Sequence, residues 1–371
     1  MSGAGERAYV YAKACGIVGK SLLGRRMPAL ARVDRLAALD RLIFPQGSRE
    51  LPERELLPDL ERRITGRAVS QILSIVSSFS RPPELLLRLL RTWEYADLKA
   101  SLNALVSGEP SFPRWTNLGA FGTVRFTAYP DLEAMVKGTE FEFLLDRELN
   151  LERGGDAIKA QTELDKQFYA SLWRALKKLP KKDRTVSERI LGEEISLRNC
   201  IWALRLRTYY GMTVDEVSER LMDIYPFRAG KPKVPGKAPG YGKGSGHGKV
   251  RRTAGRRAPA ADDSLAADAR ISLGFALDSR PAWTGWRREQ FLNPELPGRP
   301  WTADPRYFQN SVGEYLYKLA LHSFRRRPFS IDTAFCFIRL KQYEEDLLTS
   351  VAEGLGLGMS SQDVFALLEV T

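Results

Sequence analysis

The sequence predicts an all-α protein, and three observations carry the prediction. Apolar residues recur three and four apart along most of the chain and almost nowhere alternate. Proline, acidic residues and Ser/Thr stand where helices should start, and glycine where they should stop. One helix-plus-stop pattern also recurs along the chain, which implies related helical units.

That pattern is fullest at Phe337–Gly358. Leu340, Leu347 and Val351 share one helical face, and Gly354 is expected to end the helix in the left-handed conformation. Ser360 and Asp363 then resemble a capping box that opens another helix. Glu194–Val217 repeats the order: Leu197 matches Leu340, Gly211 matches Gly354, and Thr213 with Glu216 repeats the box. In Glu94–Gly108 the residues Leu98, Leu102 and Leu105 match Leu197, Ile201 and Leu204. Leu98, Leu197 and Leu340 lie 99 and 143 residues apart, and the excess falls over one low-complexity insertion.

In chain order, Tyr9–Arg26 starts the first unit as a helix or helix pair. Met27–Phe44 follows at helical spacing, with Leu30, Val33, Leu36, Leu39 and Ile43 inward. Leu56–Phe79 is a long helical pattern, and Arg81-Pro82-Pro83-Glu84 marks the start of a helix over Leu85–Val106. Ser107–Phe126 is rich in glycine and proline and connects to the next unit. There Tyr129–Leu149 is followed by amphipathic Ala157–Leu179, with Leu164, Phe168, Leu172 and Leu176 in a row. Pro180 breaks it, and the second copy of the repeated helix runs from about Thr185. The third unit begins near Leu265, carries Trp283 and Trp286, and continues with a helix over Pro305–Phe324. Ser330-Ile331-Asp332 opens the last copy. The domains read as 1–112, 113–227 and 264–371, with a flexible insertion at 228–263.

Composition narrows the function classes. The chain has 371 residues, is 43% hydrophobic and contains no apolar run long enough to span a bilayer. Met1–Arg7 lacks the apolar core of a signal peptide, so a cytoplasmic or peripheral protein is expected. Three scattered cysteines (Cys15, Cys200, Cys336) fit a reducing compartment and give neither a disulfide framework nor zinc spacing. Cys200 and Cys336 read as small buried hydrophobes.

The net charge is +12, and ten basic residues fall between Arg228 and Arg257 with no acid among them, which leaves +2 for the rest. This Gly-, Lys- and Pro-rich stretch is too poor in apolar residues to offset its chain entropy and is expected to be disordered. It also raises the alternative of a helical-repeat scaffold that binds nucleic acid through the insertion, with steep salt dependence. Only Tyr241 offers a stacking side chain there, so nucleic acid is not expected as a partner.

Enzymatic chemistry finds little support. Gly16-Ile-Val-Gly19-Lys20-Ser21 resembles a phosphate-binding loop, but the glycine required five residues before Gly19 is Ala14. The acid pairs Glu193/Glu194 and Glu344/Glu345 are sequence neighbours, which point about 100° apart on a helix and share no site. No catalytic residue, cofactor or metal is expected.

The stretch Tyr11-Ala-Lys-Ala, and the last helix with Leu340-Lys341 and Glu344 closing on Gly354 and Gly358, resemble the central-stalk family of rotary V-type and A-type ATPases, whose member is the C protein of those motors and the d protein of the eukaryotic enzymes. The three-unit order strengthens the resemblance, which covers almost the whole chain except Arg228–Asp263. The family's Asn and Arg after the glutamates are Leu347 and Thr349 here. The resemblance implies a funnel of three similar helical domains in a pseudo-threefold arrangement. It implies a non-catalytic central-stalk adaptor that joins the axle, made of the D and F proteins, to the membrane proteolipid ring. It further implies a place beside the soluble part of the membrane stator protein (a/I), peripheral on the cytoplasmic face. Such an adaptor couples ATP hydrolysis or synthesis to H+ or Na+ transport. Lys341, Glu344 and Glu345 on the last helix, with Lys13 and Lys20 near the start, are the candidate partner-binding residues, and an axle contact calls for a polar lining.

Overall fold

The computed structural model describes residues 3–111, 115–147, 149, 157–226 and 263–368, and among these every regular element is helical. Residues 228–262, expected to be disordered, lie outside the described residues. The helices are α1 (Gly3–Val18), α2 (Met27–Leu30), α3 (Leu36–Ile43), α4 (Glu53–Val76), α5 (Glu84–Leu90), α6 (Thr92–Val106) and α7 (Leu132–Val136). They continue as α8 (Ala157–Lys178), α9 (Thr185–Tyr210), α10 (Val214–Arg220), α11 (Ala267–Leu273), α12 (Pro305–Phe324), α13 (Ile331–Gly356) and α14 (Ser361–Leu368).

Several boundaries follow the local chemistry read from the sequence. Pro83 is the N-cap of α5, and Asp304 caps α12, accepting from Arg306 N at 2.8 Å. Thr213 and Glu216 form a full capping box on α10. Ser360 and Asp363 bond reciprocally, at 3.2 and 3.1 Å, before α14.

Two expected helices are broken, each with a local cause. Leu85–Val106 splits at Arg91 into α5 and α6, where the Thr92 hydroxyl donates to the Leu89 carbonyl at 2.7 Å. Such back-bonding competes with the helix ladder and bends the axis. Met27–Phe44 splits into α2 and α3. The Val33 carbonyl, freed at the break, accepts from the fully buried Ser361 hydroxyl at 2.7 Å. A tertiary bond from the far end of the chain therefore occupies what a continuous helix would have used.

Gly354 corrects the sequence reading in detail. It does not end α13; the helix runs to Gly356, and Gly358, at φ +80°, takes the left-handed position. Met359 N–H reaches Gly354 O at 2.9 Å and Gly358 N–H reaches Leu355 O at 3.0 Å, the paired bonds of a Schellman end. The glycine at 354 answers a packing need instead. A Cβ there would lie 2.2 Å from Val364 Cγ2 of α14. In open space Gly354→Ala would stabilise the helix by about 0.5–1 kcal/mol. Here it is expected to destabilise by about 1–3 kcal/mol through overpacking. Urea denaturation checks the sign, and a stabilised variant would show that α14 does not pack there.

Three apolar cores hold the helices. The first gathers α5, α6, α8, the N-terminal part of α9 and residues 331–340 of α13. The second joins residues 197–204 of α9 to α11, α12 and a tryptophan-rich stretch, with Trp283 and Trp286 edge-to-face at 5.2 Å. The third packs residues 22–64 against residues 347–355 of α13 and against α14. The two longest helices, α9 and α13, each pass from the first core into a different second one. Cys200 and Cys336 are fully buried, and burial pushes both thiols up.

Candidate functional site

The paths of α9 and α13 create an opening. Near their starts the two helices are tied together. Asp332 of α13 accepts from Ser187 N at 2.9 Å and Ser187 Oγ at 2.6 Å, and so also caps the first turn of α9. Two turns on, Arg339 Nη2 meets Glu194 Oε2 at 2.7 Å, and Tyr169 OH donates to the other Glu194 oxygen at 2.9 Å. Both contacts advance in the same direction along the two chains, so the helices run parallel. Beyond Leu197 α9 turns to the second core, and beyond Leu347 α13 turns to the third. The space left between them is a cavity of about 780 Å³, walled also by parts of α6, α8 and α12.

The lining combines apolar side chains, Phe168, Trp202 and Leu316 among them, with charged and polar ones. On α9 it presents Arg198 and Arg205; on α13 it presents Gln342, Glu345, Asp346, Thr349, Ser350 and Glu353. Gln342 is fixed by Arg339 Nη1 at 2.9 Å and by Thr92 Oγ1 at 3.2 Å. Trp93 Nε1 donates to Glu345 at 3.1 Å. Asp346 is water-accessible on the cavity wall yet hemmed in by protein. Burial, then the neighbouring Glu345, push its carboxyl up to about 7, while Arg198 and Arg339 pull the other way. Burial also raises Glu345, against the hydrogen bonds from Thr65 and Trp93.

This shift has a definite sign. A carboxyl whose pKa is higher folded than unfolded costs stability when ionised. That cost is fully present above about pH 7 and is relieved as pH falls toward the ordinary aspartate value of 3.8. Asp346→Asn is therefore expected to be more stable than the parent at pH 8, by about 1 kcal/mol because cavity water screens most of the effect. The difference should close below pH 5, and denaturation curves at both pH values test it; a pH-independent difference would refute the assignment.

The structure separates the five residues singled out in the sequence. Glu345 lines the cavity. Lys341 and Glu344 do not: they form an ion pair inside the protein, their side chains 3% and 4% exposed, and Glu344 also accepts from Leu22 N at 2.7 Å. Lys13 is half-buried and donates to the Ser74 carbonyl at 2.6 Å and to Ser78 Oγ at 3.3 Å. Its cation thus sits at the electronegative end of α4. Lys20 is exposed.

The stretch resembling a phosphate loop lies at the C-terminal end of α1, where Gly19 N–H bonds Cys15 O at 2.9 Å. That is the carbonyl end of a helix, which repels phosphate rather than cradling it. The adjacent acid pairs point to different partners: Glu193 to Arg288 at 2.7 Å and Glu194 to Arg339, Glu344 to Lys341 and Glu345 to Trp93. Among the described residues no group of His, Cys, Asp and Glu could hold a metal, and no helix is long and apolar enough to cross a membrane.

Sequence reading missed Arg198, Arg205, Asp346 and Glu353. The available signal was their spacing. Arg198 and Arg205, like Asp346 and Glu353, are seven residues apart and hold one helix face.

An uncharacterized protein of Treponema pallidum (strain Nichols) is 26% identical over 350 residues, covering 94% of this chain and 92% of its own. The model of the ATP synthase (C/AC39) subunit family matches residues 48–228, from before α4 to beyond α10. The family's subunit is a structural part of the V/A-type ATPase and not its catalytic one. Residues 48–228 thus match the ATP synthase (C/AC39) subunit family, the family the sequence resembles.

Proposed function

We propose that this chain is the non-catalytic central-stalk adaptor of a V/A-type rotary ATPase. It joins the axle, made of the D and F proteins, to the membrane proteolipid ring and so couples ATP hydrolysis or synthesis to H+ or Na+ transport. The observation that carries the proposal is the charged cavity between α9 and α13 in a chain of this family. A torque-bearing adaptor must be stiff, and three packed cores linked by two helices of 26 residues, each about 39 Å long, supply stiffness. It must also hold an axle end without fusing to it, which suits a socket that mixes charged side chains with apolar ones.

In this reading the chain lies peripherally on the cytoplasmic face, beside the soluble part of the membrane stator protein (a/I). Three helical units, 1–112, 113–227 and 264–371, surround the socket as a funnel. Recurrent helix ends support the three units: α6, α9 and α13 are each followed by a glycine of positive φ, Gly108, Gly211 and Gly358. Of the partner-contact candidates, Glu345 fits the socket. Lys20 is exposed and is kept as a contact on the outer surface, whereas Lys13, Lys341 and Glu344 act by holding the helices that shape it.

The test is a mild-detergent pull-down of tagged chain from native membranes, read by mass spectrometry. Recovery of the nucleotide-binding subunits, axle and proteolipids is expected. Recovery of nucleic acid with none of these would refute the adaptor and promote the basic stretch 228–263.

A further inference from the structure

One end of the molecule, where α9 and α13 begin, is basic. It is built from residues 181–184, Lys-Lys-Asp-Arg, ahead of α9, and from residues 325–332, which run from Arg325-Arg326-Arg327-Pro328-Phe329 into the first turn of α13. Helix α1 holds the two segments side by side. Arg7 Nη1 meets Asp183 Oδ1 at 2.9 Å. Tyr11, one turn later and about 6 Å along the axis, places its ring 5.5 Å from that of Phe329. Asp332 joins the segments again, accepting from Ser187 N while Arg327 Nη1 lies 4.0 Å away.

The two segments carry six cations and two acids, and both acids, Asp183 and Asp332, are buried. Lys181, Lys182, Arg325 and Arg326 are exposed, and among the described residues none of the four pairs with an acid within 4 Å. Nearby carboxylates are already engaged: Glu188 lies 3.5 Å from Arg184, and Glu84 lies 2.6 Å from Lys178. Among these cations stands an aromatic ring. Phe329 is 52% exposed, and among the described residues it is the one non-glycine residue with a positive φ, +65°. That conformation is strained for a bulky residue and free for glycine. The Ser330 and Thr333 hydroxyls hold the turn, donating to the Arg327 carbonyl at 2.7 and 3.0 Å. The ring meets Tyr11 edge-on and belongs to none of the three cores. Neither packing nor backbone preference accounts for a phenylalanine there, so its use lies outside the chain.

We infer that this end rests on an anionic phospholipid surface, with Lys181, Lys182, Arg325 and Arg326 on the headgroup phosphates and the Phe329 ring at headgroup depth. Cations on two separate loops around a single aromatic suit a fluid surface whose charges rearrange to meet them. A nucleic-acid strand calls instead for a groove that tracks its backbone and for successive stacking rings, and the two segments hold one ring. The inference goes beyond the proposed function, which concerns protein partners. It uses that reading only in taking a membrane to be within reach.

Co-sedimentation of the full chain with vesicles at about 0.15 M salt tests the contact. One set is phosphatidylcholine alone, and the other contains about a third phosphatidylglycerol. The parent is expected to bind the anionic set, and a failure to bind it would overturn the inference. Arg325→Gln/Arg326→Gln and Lys181→Gln/Lys182→Gln should each weaken that binding about tenfold or more. Phe329→Gly should weaken it about fivefold. The same variant should raise the urea midpoint, because glycine takes the left-handed conformation without strain. Binding lost by a chain that folds more stably is not misfolding. The ten basic residues between Arg228 and Arg257 also attract anionic vesicles. Undiminished binding by all three variants would therefore assign the affinity to that stretch and overturn the inference. Single-stranded DNA binding lost in the variants, with vesicle binding unaltered, would overturn it in favour of nucleic acid. The membrane pull-down reads the adaptor separately. Motor subunits recovered alongside variants that bind vesicles like the parent would overturn the lipid contact and spare the adaptor. The expected vesicle losses without motor subunits would uphold the contact and refute the adaptor.

Discussion

Glu344→Gln is expected to destabilise the protein by about 3 kcal/mol or more, although it exchanges one oxygen for an NH2 group. The parent carboxylate is 4% exposed and pairs with a Lys341 ammonium that is 3% exposed. Burial works to raise the Glu344 pKa, but the Lys341 charge and hydrogen bonds from Lys341, Leu22 and Ser21 prevail and hold it below the usual range. Glutamine can still accept from Leu22 N–H but leaves the lysine charge uncompensated in the interior. An uncompensated buried charge is among the most costly single defects. Lys341→Met/Glu344→Gln removes that charge and keeps the Leu22 bond, so it is expected to recover most of the loss. Guanidinium denaturation of the parent, both single variants and the double variant closes the cycle. A Glu344→Gln loss under about 1 kcal/mol would refute the buried-pair description. The sign with pH follows from the lowered pKa. The contribution of Glu344 is present above the ordinary value of 4.5 and is lost as pH falls through the lower folded value. The pair thus reinforces stability in neutral solution, where Asp346 weakens it.

The pair also shows where sequence reading succeeds and where it ends. The rows Leu164-Phe168-Leu172-Leu176 and Val312-Leu316-Leu319-Phe324 were legible because burial imposes a 3.6-residue period, and all eight are buried. The Thr213–Glu216 box and the Gly211 stop were legible because capping is local chemistry. Lys341, Glu344 and Glu345 could be placed on a helix but not on a face. Three neighbours of α13 meet it: the first core, the third core and the cavity. A helix enclosed on most sides has no single polar face, so charge no longer marks exposure. Gly354 misled for a related reason. Glycine signals a stop where only the backbone matters, whereas here it accommodates Val364, a contact set by α14. The cavity could not be read from sequence at all, because it exists only where α9 and α13 diverge toward different cores.

Arg288→Ala is expected to cost about 3–5 kcal/mol, with the loss concentrated in the second core. Arg288 is 5% exposed and lies in the tryptophan-rich stretch. Its guanidinium spreads over two helices: Nε to Asp268 Oδ2 of α11 at 2.7 Å, Nη1 to Glu193 Oε2 of α9 at 2.7 Å, and Nη2 to Ser196 Oγ at 3.1 Å. Alanine would strand two carboxylates around a void. The exposed Arg287, 3.7 Å from both carboxylates, offers partial compensation, which places the expected cost toward the lower end. Arg288→Lys tests whether the fork matters as well as the charge. An ammonium is a point donor and cannot span both helices, so an intermediate loss is expected. Hydrogen exchange discriminates local from global failure. Faster exchange in α11 and the C-terminal half of α9, with α4 and α5 unchanged, would show that this fork fastens the second core separately. Uniform acceleration, or a loss under about 1 kcal/mol, would refute it. The local outcome reaches function, because the half of α9 that the fork secures carries Arg198 and Arg205. Loosening it would displace the α9 wall of the cavity, and, in the proposed role, axle capture by Arg288→Lys should weaken even though every cavity side chain is retained.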